Sequence, residues 1–186
     1  MIEPKIYRDD RGSFQESWHA ERYEMELGGG RFVQDNLSRS KRGVVRGLHF
    51  QNPRGQAKLV TVLAGAVYDV IVDVRVGSPT FGQWEGFHLV AEESKQLFIP
   101  SGFAHGFAAL TDEVVFSYKC SDYYAPKCEA TLLWNDPDLG IDWPIEAPIL
   151  SEKDEQGMRL ADFPKHMLPR YPILRGGAQA FVVAVL

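Results

Sequence analysis

Apolar and β-branched residues recur in short runs along most of the chain, divided by turn residues. The runs occupy residues 32–37, 44–51, 58–63, 66–74, 84–90, 96–99, 106–110, 114–120 and 131–134. Between them lie Ala64-Gly65, Gly77-Ser78-Pro79, Glu92-Glu93-Ser94, Ser101-Gly102 and Thr111-Asp112. Many short strands at near-regular spacing with such punctuation predict an all-β fold, an antiparallel sandwich or barrel. Asp9-Asp10-Arg11-Gly12 reads as a turn followed by an extended stretch to Ser17. Residues 21–27 read as a helix stopped by Gly28-Gly29-Gly30. After Trp134 the segments Asn135-Asp136-Pro137-Asp138 and Ile141-Asp142-Trp143-Pro144 are turn-rich, and the nearby tryptophans suggest a stretch clamped onto the sheets. Ser151, with Asp154 three residues on, suggests a capped short helix. From about Pro164 the pattern is irregular. The apolar run 178–186 is too short to span a membrane and reads as a terminal strand or a tail. The expected organisation is one domain over residues 1–168 with a tail over 169–186.

Composition narrows the function. With 45% hydrophobic residues, the 186-residue chain can bury a substantial core. A net charge of -5 argues against a duplex nucleic-acid partner, because phosphate contacts need clustered Lys and Arg. The two cysteines make no disulfide framework and suit the reduced thiols of a cytoplasmic protein. No apolar run suggests a membrane span, and the first residues lack the apolar stretch of a signal peptide. No phosphate-binding glycine loop occurs, which speaks against a dinucleotide or P-loop fold.

Two of the five histidines stand beside glycine at predicted strand edges. They are His49 in Gly47-Leu48-His49 and His105 in Ala104-His105-Gly106. His49 is followed by Phe50, Gln51 and Asn52 rather than a second ligand, so the expectation is no metal. Strand alternation puts Tyr118 on the apolar, inward face of its strand with Val114, Phe116 and Cys120. It is then either a core tyrosine or a proton donor. Arg46 and His49 stand three apart, on opposite faces of a regular strand. If both serve one pocket, the strand departs from alternation near Gly47. Lys58 opens the next strand and is either a surface cation or a pocket one. Alternation also sets Asp69 and Asp73 opposite Tyr68, Val70 and Val72, which reads as solvent-facing unless both faces of that strand are covered.

Several motifs occur in order: Phe32-Val33-Gln34-Asp35-Asn36, Arg46-Gly47-Leu48-His49-Phe50-Gln51, Ser78-Pro79-Thr80-Phe81-Gly82-Gln83-Trp84, Ile99-Pro100, Gly102-Phe103-Ala104-His105-Gly106-Phe107, Tyr118-Lys119 and Leu133-Trp134-Asn135-Asp136. Together they resemble the dTDP-4-dehydrorhamnose 3,5-epimerase family from about Ile2 to Asp154. The resemblance implies a cupin-type jelly roll with short peripheral helices, a homodimer, and chemistry without metal or other cofactor. The implied substrate is a dTDP-4-keto-6-deoxyhexose, epimerised at C3 and C5 on the way to dTDP-L-rhamnose and so to cell-surface polysaccharide. It also implies His49 as base, Asp154 as its orienting carboxylate, Tyr118 as acid and Lys58 as the cation facing the enolate oxygen. His105 matches another pocket position. Arg11, Glu16, Gln34, Asn36, Arg46, Glu129 and Lys153 match positions that hold nucleotide, diphosphate and sugar, with Arg11 and Glu16 open to serving a neighbouring subunit. The chain departs from the pattern in three places. It starts about where the family's first strand is under way, which suggests a missing edge strand. Ala57 replaces a usual glycine, and the tail beyond Pro169 has no counterpart. Alternatives are a relative that epimerises only C3 or only C5, a non-catalytic sugar-nucleotide-binding cupin, and a metal-dependent cupin oxygenase.

Overall fold

The computed structural model describes residues 1–27 and 31–171. The predicted stop at Gly28-Gly29-Gly30 and the apolar run 178–186 lie outside the described residues. The chain begins with β1 (Ile6–Asp9) and β2 (Gly12–Gln15), a hairpin that forms its own two-stranded sheet, and then α1 (Ala20–Glu26). There follow β3 (Gln34–Ser40), β4 (Val45–Gln51), β5 (Lys58–Ala64), β6 (Ala66–Asp73), β7 (Trp84–Val90), β8 (Gln96–Ile99), β9 (Phe103–Ala109), β10 (Val114–Cys120) and β11 (Glu129–Thr131). These strands pair antiparallel into a four-stranded sheet ordered β3-β10-β5-β8 and a five-stranded sheet ordered β11-β4-β9-β6-β7. The two sheets form an open sandwich, one of the two antiparallel layouts anticipated from the strand spacing and consistent with the jelly roll that the resemblance implies. α2 (Glu152–Glu155) comes late and is capped by the Ser151 hydroxyl, which accepts from the Asp154 N–H.

The inward residues of the two sheets make the main core, with Val60, Ile71, Leu97, Ile99, Phe107 and Phe116 among its members. A second core lies on the back of the five-stranded sheet. There Leu48, Phe50, Val70 and Val72 meet Leu132, Leu160, Phe163 and Leu168 from the segment after β11. The segment is pinned by side-chain hydrogen bonds. Trp84 Nε1 donates to the Leu139 carbonyl at 2.9 Å, Trp143 Nε1 to the Trp134 carbonyl at 2.8 Å, and the buried Asp136 accepts from the Leu160 N–H at 2.7 Å. The tryptophan-rich stretch is therefore a clamp, as its composition suggested. Val76 exchanges backbone hydrogen bonds with Pro169 and Tyr171, so the start of the expected tail is tied to the domain. On the other side, α1 covers the outer face of the four-stranded sheet through Tyr23 on Leu59, with Trp18 and Phe32 alongside.

The second core corrects one expectation. Tyr68, Val70 and Val72 face the clamp, so Asp69 and Asp73 point the opposite way, into the sandwich, and both are fully buried. Asp73 is held by Arg75, Ser78 and Thr80 at 2.6–2.9 Å. Asp69 belongs to the site described next.

Candidate active site

A cavity of about 410 Å³ opens between the sheets beside β3 and β4. It brings together ten of the twelve candidate residues: His49, Tyr118, Asp154, Lys58, Gln34, Asn36, Arg46, His105, Glu129 and Lys153 all line it. The other two, Arg11 and Glu16, do not. Arg11 sits in the β1–β2 turn, paired with Asp9 and 89% exposed, and Glu16 pairs with Arg22 beside α1.

β4 supplies Arg46 and His49 to one cavity through a register shift. Against β9, Arg46 faces Phe107 and His49 faces His105, so three steps on β4 match two on β9. This is the expected departure from alternation, and it falls at Gly47. Gly47 has φ of +115°, and a Cβ there would stand 2.7 Å from both the Gly106 Cα and the His105 carbonyl oxygen. Only glycine suits that conformation and that close approach.

His49 Nε2 and Asp154 Oδ1 are 2.6 Å apart across 105 residues of chain. The other Asp154 oxygen accepts from the Ser151 hydroxyl at 2.8 Å, so the helix cap also anchors the carboxylate. Burial pushes the Asp154 carboxyl up. The His49 hydrogen bond and charge, Ser151 and Lys153 outweigh it and hold the group below its ordinary value. An ionised Asp154 accepts the Nε2 proton and leaves Nδ1 of a neutral imidazole with its lone pair.

Tyr118 comes from the opposite sheet, paired with Asn36 on β3. Burial raises its phenol pKa against the pull of Arg46, so the proton is retained well past neutrality. Lys58 is half-buried in the cavity wall. Desolvation lowers its ammonium pKa, although Cys120, Asp69 and Glu129 oppose this.

The residue missed by sequence reasoning is Asp69. Its Oδ2 is 2.9 Å from His105 Nε2, and its Oδ1 has no partner among the described residues. Burial pushes the Asp69 carboxyl up and the His105 imidazole down, so the pair favours its uncharged forms. The site thus holds two histidine–carboxyl pairs: both histidines line the cavity from neighbouring strands, and Asp69 is buried behind His105. At the rim, Tyr124 donates to Glu129 at 2.9 Å and Lys153 to the same carboxylate at 3.0 Å. Burial raises the Glu129 carboxyl, and these two partners more than reverse it. Gln51, Gln56 and Tyr124 also line the cavity and carried no distinguishing sequence signal. Among the described residues no group of three or more His, Cys, Asp and Glu side chains is arranged to hold a metal ion. Both cysteines are free thiols, and no helix among the described residues is long and apolar enough to cross a membrane.

Comparisons with known proteins identify the family. The family model described as dTDP-4-dehydrorhamnose 3,5-epimerase matches residues 1–162. A dTDP-4-dehydrorhamnose 3,5-epimerase of Pseudomonas aeruginosa is 53% identical over 164 residues, covering 87% of this chain and 91% of the relative. A dTDP-4-dehydrorhamnose 3-epimerase of Streptomyces niveus is 45% identical and covers 87% and 79%. The solved structure of a dTDP-6-deoxy-D-glucose-3,5-epimerase from Legionella pneumophila, in complex with dTDP-4-keto-L-rhamnose, superposes with a TM-score of 0.89. It is 55% identical and covers 91% of this chain and 92% of its own. With the matched family model spanning most of the chain, and the sandwich superposing on that of a solved relative, the protein belongs to the dTDP-4-dehydrorhamnose 3,5-epimerase family.

Proposed function

We propose that this protein inverts C3 and C5 of dTDP-4-dehydro-6-deoxy-D-glucose to give dTDP-4-dehydro-L-rhamnose, without metal or other cofactor. The observation that carries the reading is the 2.6 Å His49–Asp154 pair lining the same cavity as Tyr118 and Lys58. C3 and C5 flank the C4 ketone, so loss of either proton gives an enolate. His49 Nδ1 takes the proton, Asp154 stabilises the imidazolium, and Lys58 faces the enolate oxygen. Tyr118 returns a proton to the opposite face. Gln34, Asn36, Arg46, His105, Glu129 and Lys153 hold the rest of the sugar nucleotide, with the planar fork of Arg46 suited to a phosphate.

Solvent hydrogen reports the reaction. In deuterated water, dTDP-4-keto-6-deoxyglucose is expected to gain deuterium at both C3 and C5. The second reading, a C3-only epimerase, is favoured by the Streptomyces niveus relative. Deuterium at one carbon alone would select it over the double epimerase.

The protein acts as a cytoplasmic homodimer, with residues 1–168 as its domain and 169–186 as a tail. The β1–β2 hairpin supports the dimer. It carries the cross-strand pair Tyr7 and Phe14, both exposed, and a two-stranded ribbon is marginal in water without a covering surface. In a dimer its Arg11 and nearby Glu16 reach the partner's site. Arg11→Ala and His49→Ala are then each defective alone, and co-assembly restores turnover. Random pairing leaves about a quarter of sites intact. Mixed dimers with no recovered activity would place Arg11 outside the site.

A further inference from the structure

Along β3 the inward positions Gln34, Asn36, Ser38 and Ser40 form a polar row facing the cavity side of the sandwich. Three of them are committed. Gln34 donates to Asn36 at 3.1 Å and accepts from the Tyr124 N–H at 2.8 Å. Asn36 also lies 3.5 Å from the Cys120 sulfur, and Ser40 accepts from Arg46 Nε at 3.0 Å. Ser38 alone is uncommitted. Its hydroxyl oxygen is buried and has no partner, and Ser38 is among the residues that line the cavity. Among the described residues only one other buried side-chain polar atom is in this position, Asp69 Oδ1. Native folds rarely leave a buried hydroxyl unpaired, because it loses its water and gains nothing in return. A ligand entering the cavity could supply the missing partner.

We infer that Ser38 is a substrate contact whose hydroxyl bonds the hexose of the sugar nucleotide and helps to set sugar specificity. This rests on the epimerase reading. The surroundings select the hexose over the diphosphate. Ser38 is paired across the sheet with Phe116, whose ring stacks on Phe107 with centroids 4.2 Å apart, and both rings line the cavity. A 6-deoxyhexose presents C–H surface and a methyl group as well as hydroxyls. Apolar rings beside one neutral hydroxyl suit that mixture, whereas a phosphate calls for cations. Ser38 also stands one inward position along β3 from Asn36, the partner of Tyr118. It therefore neighbours the proposed acid without sharing its role.

Titration calorimetry of wild type and Ser38→Ala with two ligands tests this. One is dTDP. The other is dTDP-6-deoxy-D-glucose, which lacks the ketone and cannot react. Ser38→Ala is expected to bind dTDP as wild type does and to bind the sugar nucleotide about three- to tenfold more weakly, as for one neutral hydrogen bond. The free variant is expected to melt no lower than wild type, since an unpaired buried hydroxyl has been removed. Equal weakening for both ligands would overturn the hexose assignment. Unchanged affinity for both would overturn the contact itself, and a lowered melting temperature beside it would make Ser38 purely structural. Wild type that binds neither ligand would sink the epimerase reading along with this one. Wild-type binding with an indifferent Ser38→Ala sinks this one alone.

Discussion

His49→Ala is expected to lower turnover by about 10²–10⁴-fold, the usual cost of losing a positioned base. The geometry explains why no neighbour substitutes. His105, its partner across the strands, is bonded through Nε2 to the buried Asp69, and burial disfavours its charged form. It cannot readily accept and hold a proton. Lys58 has its ammonium pKa lowered by desolvation but would have to give up the charge proposed to face the enolate. Asp154→Asn should approach the same loss with a subtler change of shape. An amide can donate to Nε2, which forces the proton onto Nδ1 and removes the lone pair. Both variants should still bind dTDP, and this separates lost chemistry from lost folding. Steady-state epimerisation checks the rate, and a His49→Ala enzyme retaining a tenth of wild-type turnover would remove His49 as the base.

Tyr118→Phe should cost a similar factor in net inversion, yet leave a different residue of activity. The phenol is half-buried with a raised pKa, so it is a donor at working pH. Removing its oxygen leaves the His49–Asp154 pair intact. The variant should still form the enolate and return a solvent deuteron from His49 to the original face. Deuterium would then enter the substrate without inversion, and exchange would outpace epimerisation. In the wild type the two go together. Magnetic resonance of the sugar protons in deuterated water reads both rates. If exchange and inversion fell equally, Tyr118 would have a role before proton abstraction, and wild-type inversion would exclude it as the acid.

Much of this arrangement is legible in the amino-acid sequence. The runs at 44–51, 84–90, 96–99 and 114–120 match strands to within a residue, because glycine, proline and aspartate turns bound them sharply. β9 was harder. It starts at Phe103 rather than residue 106, since all seven of its residues are buried and alternation gives no edge. β11 lies at Glu129–Thr131 instead of residues 131–134, because Leu132 and Leu133 bond onward to Leu48 and Met158. The β4 irregularity followed from demanding one pocket for Arg46 and His49. Asp69 was misjudged for a physical reason. Alternation tells which residues share a face, not which face is inside, and β6 is covered on both. The clamp from distant sequence makes that difference, and no pattern within residues 66–74 announces it. Arg11 and Glu16 matched family positions, but a single chain does not bring them to its own cavity.

The helix cap at Ser151 has a further consequence for synthesis of the protein. Among the described residues every strand of both sheets is complete by Thr131, and His49, the proposed base, is made well before it. Its carboxylate partner follows 23 residues later, beyond the tryptophan clamp, on a helix of one turn that Ser151 holds in place. A nascent or prematurely ended chain that stops at β11 therefore carries His49, Lys58 and Tyr118 without the carboxylate proposed to orient the base. On the proposed roles, a chain gains competence only once it has been made through Asp154, so the order of residues keeps chains that stop short of it inactive.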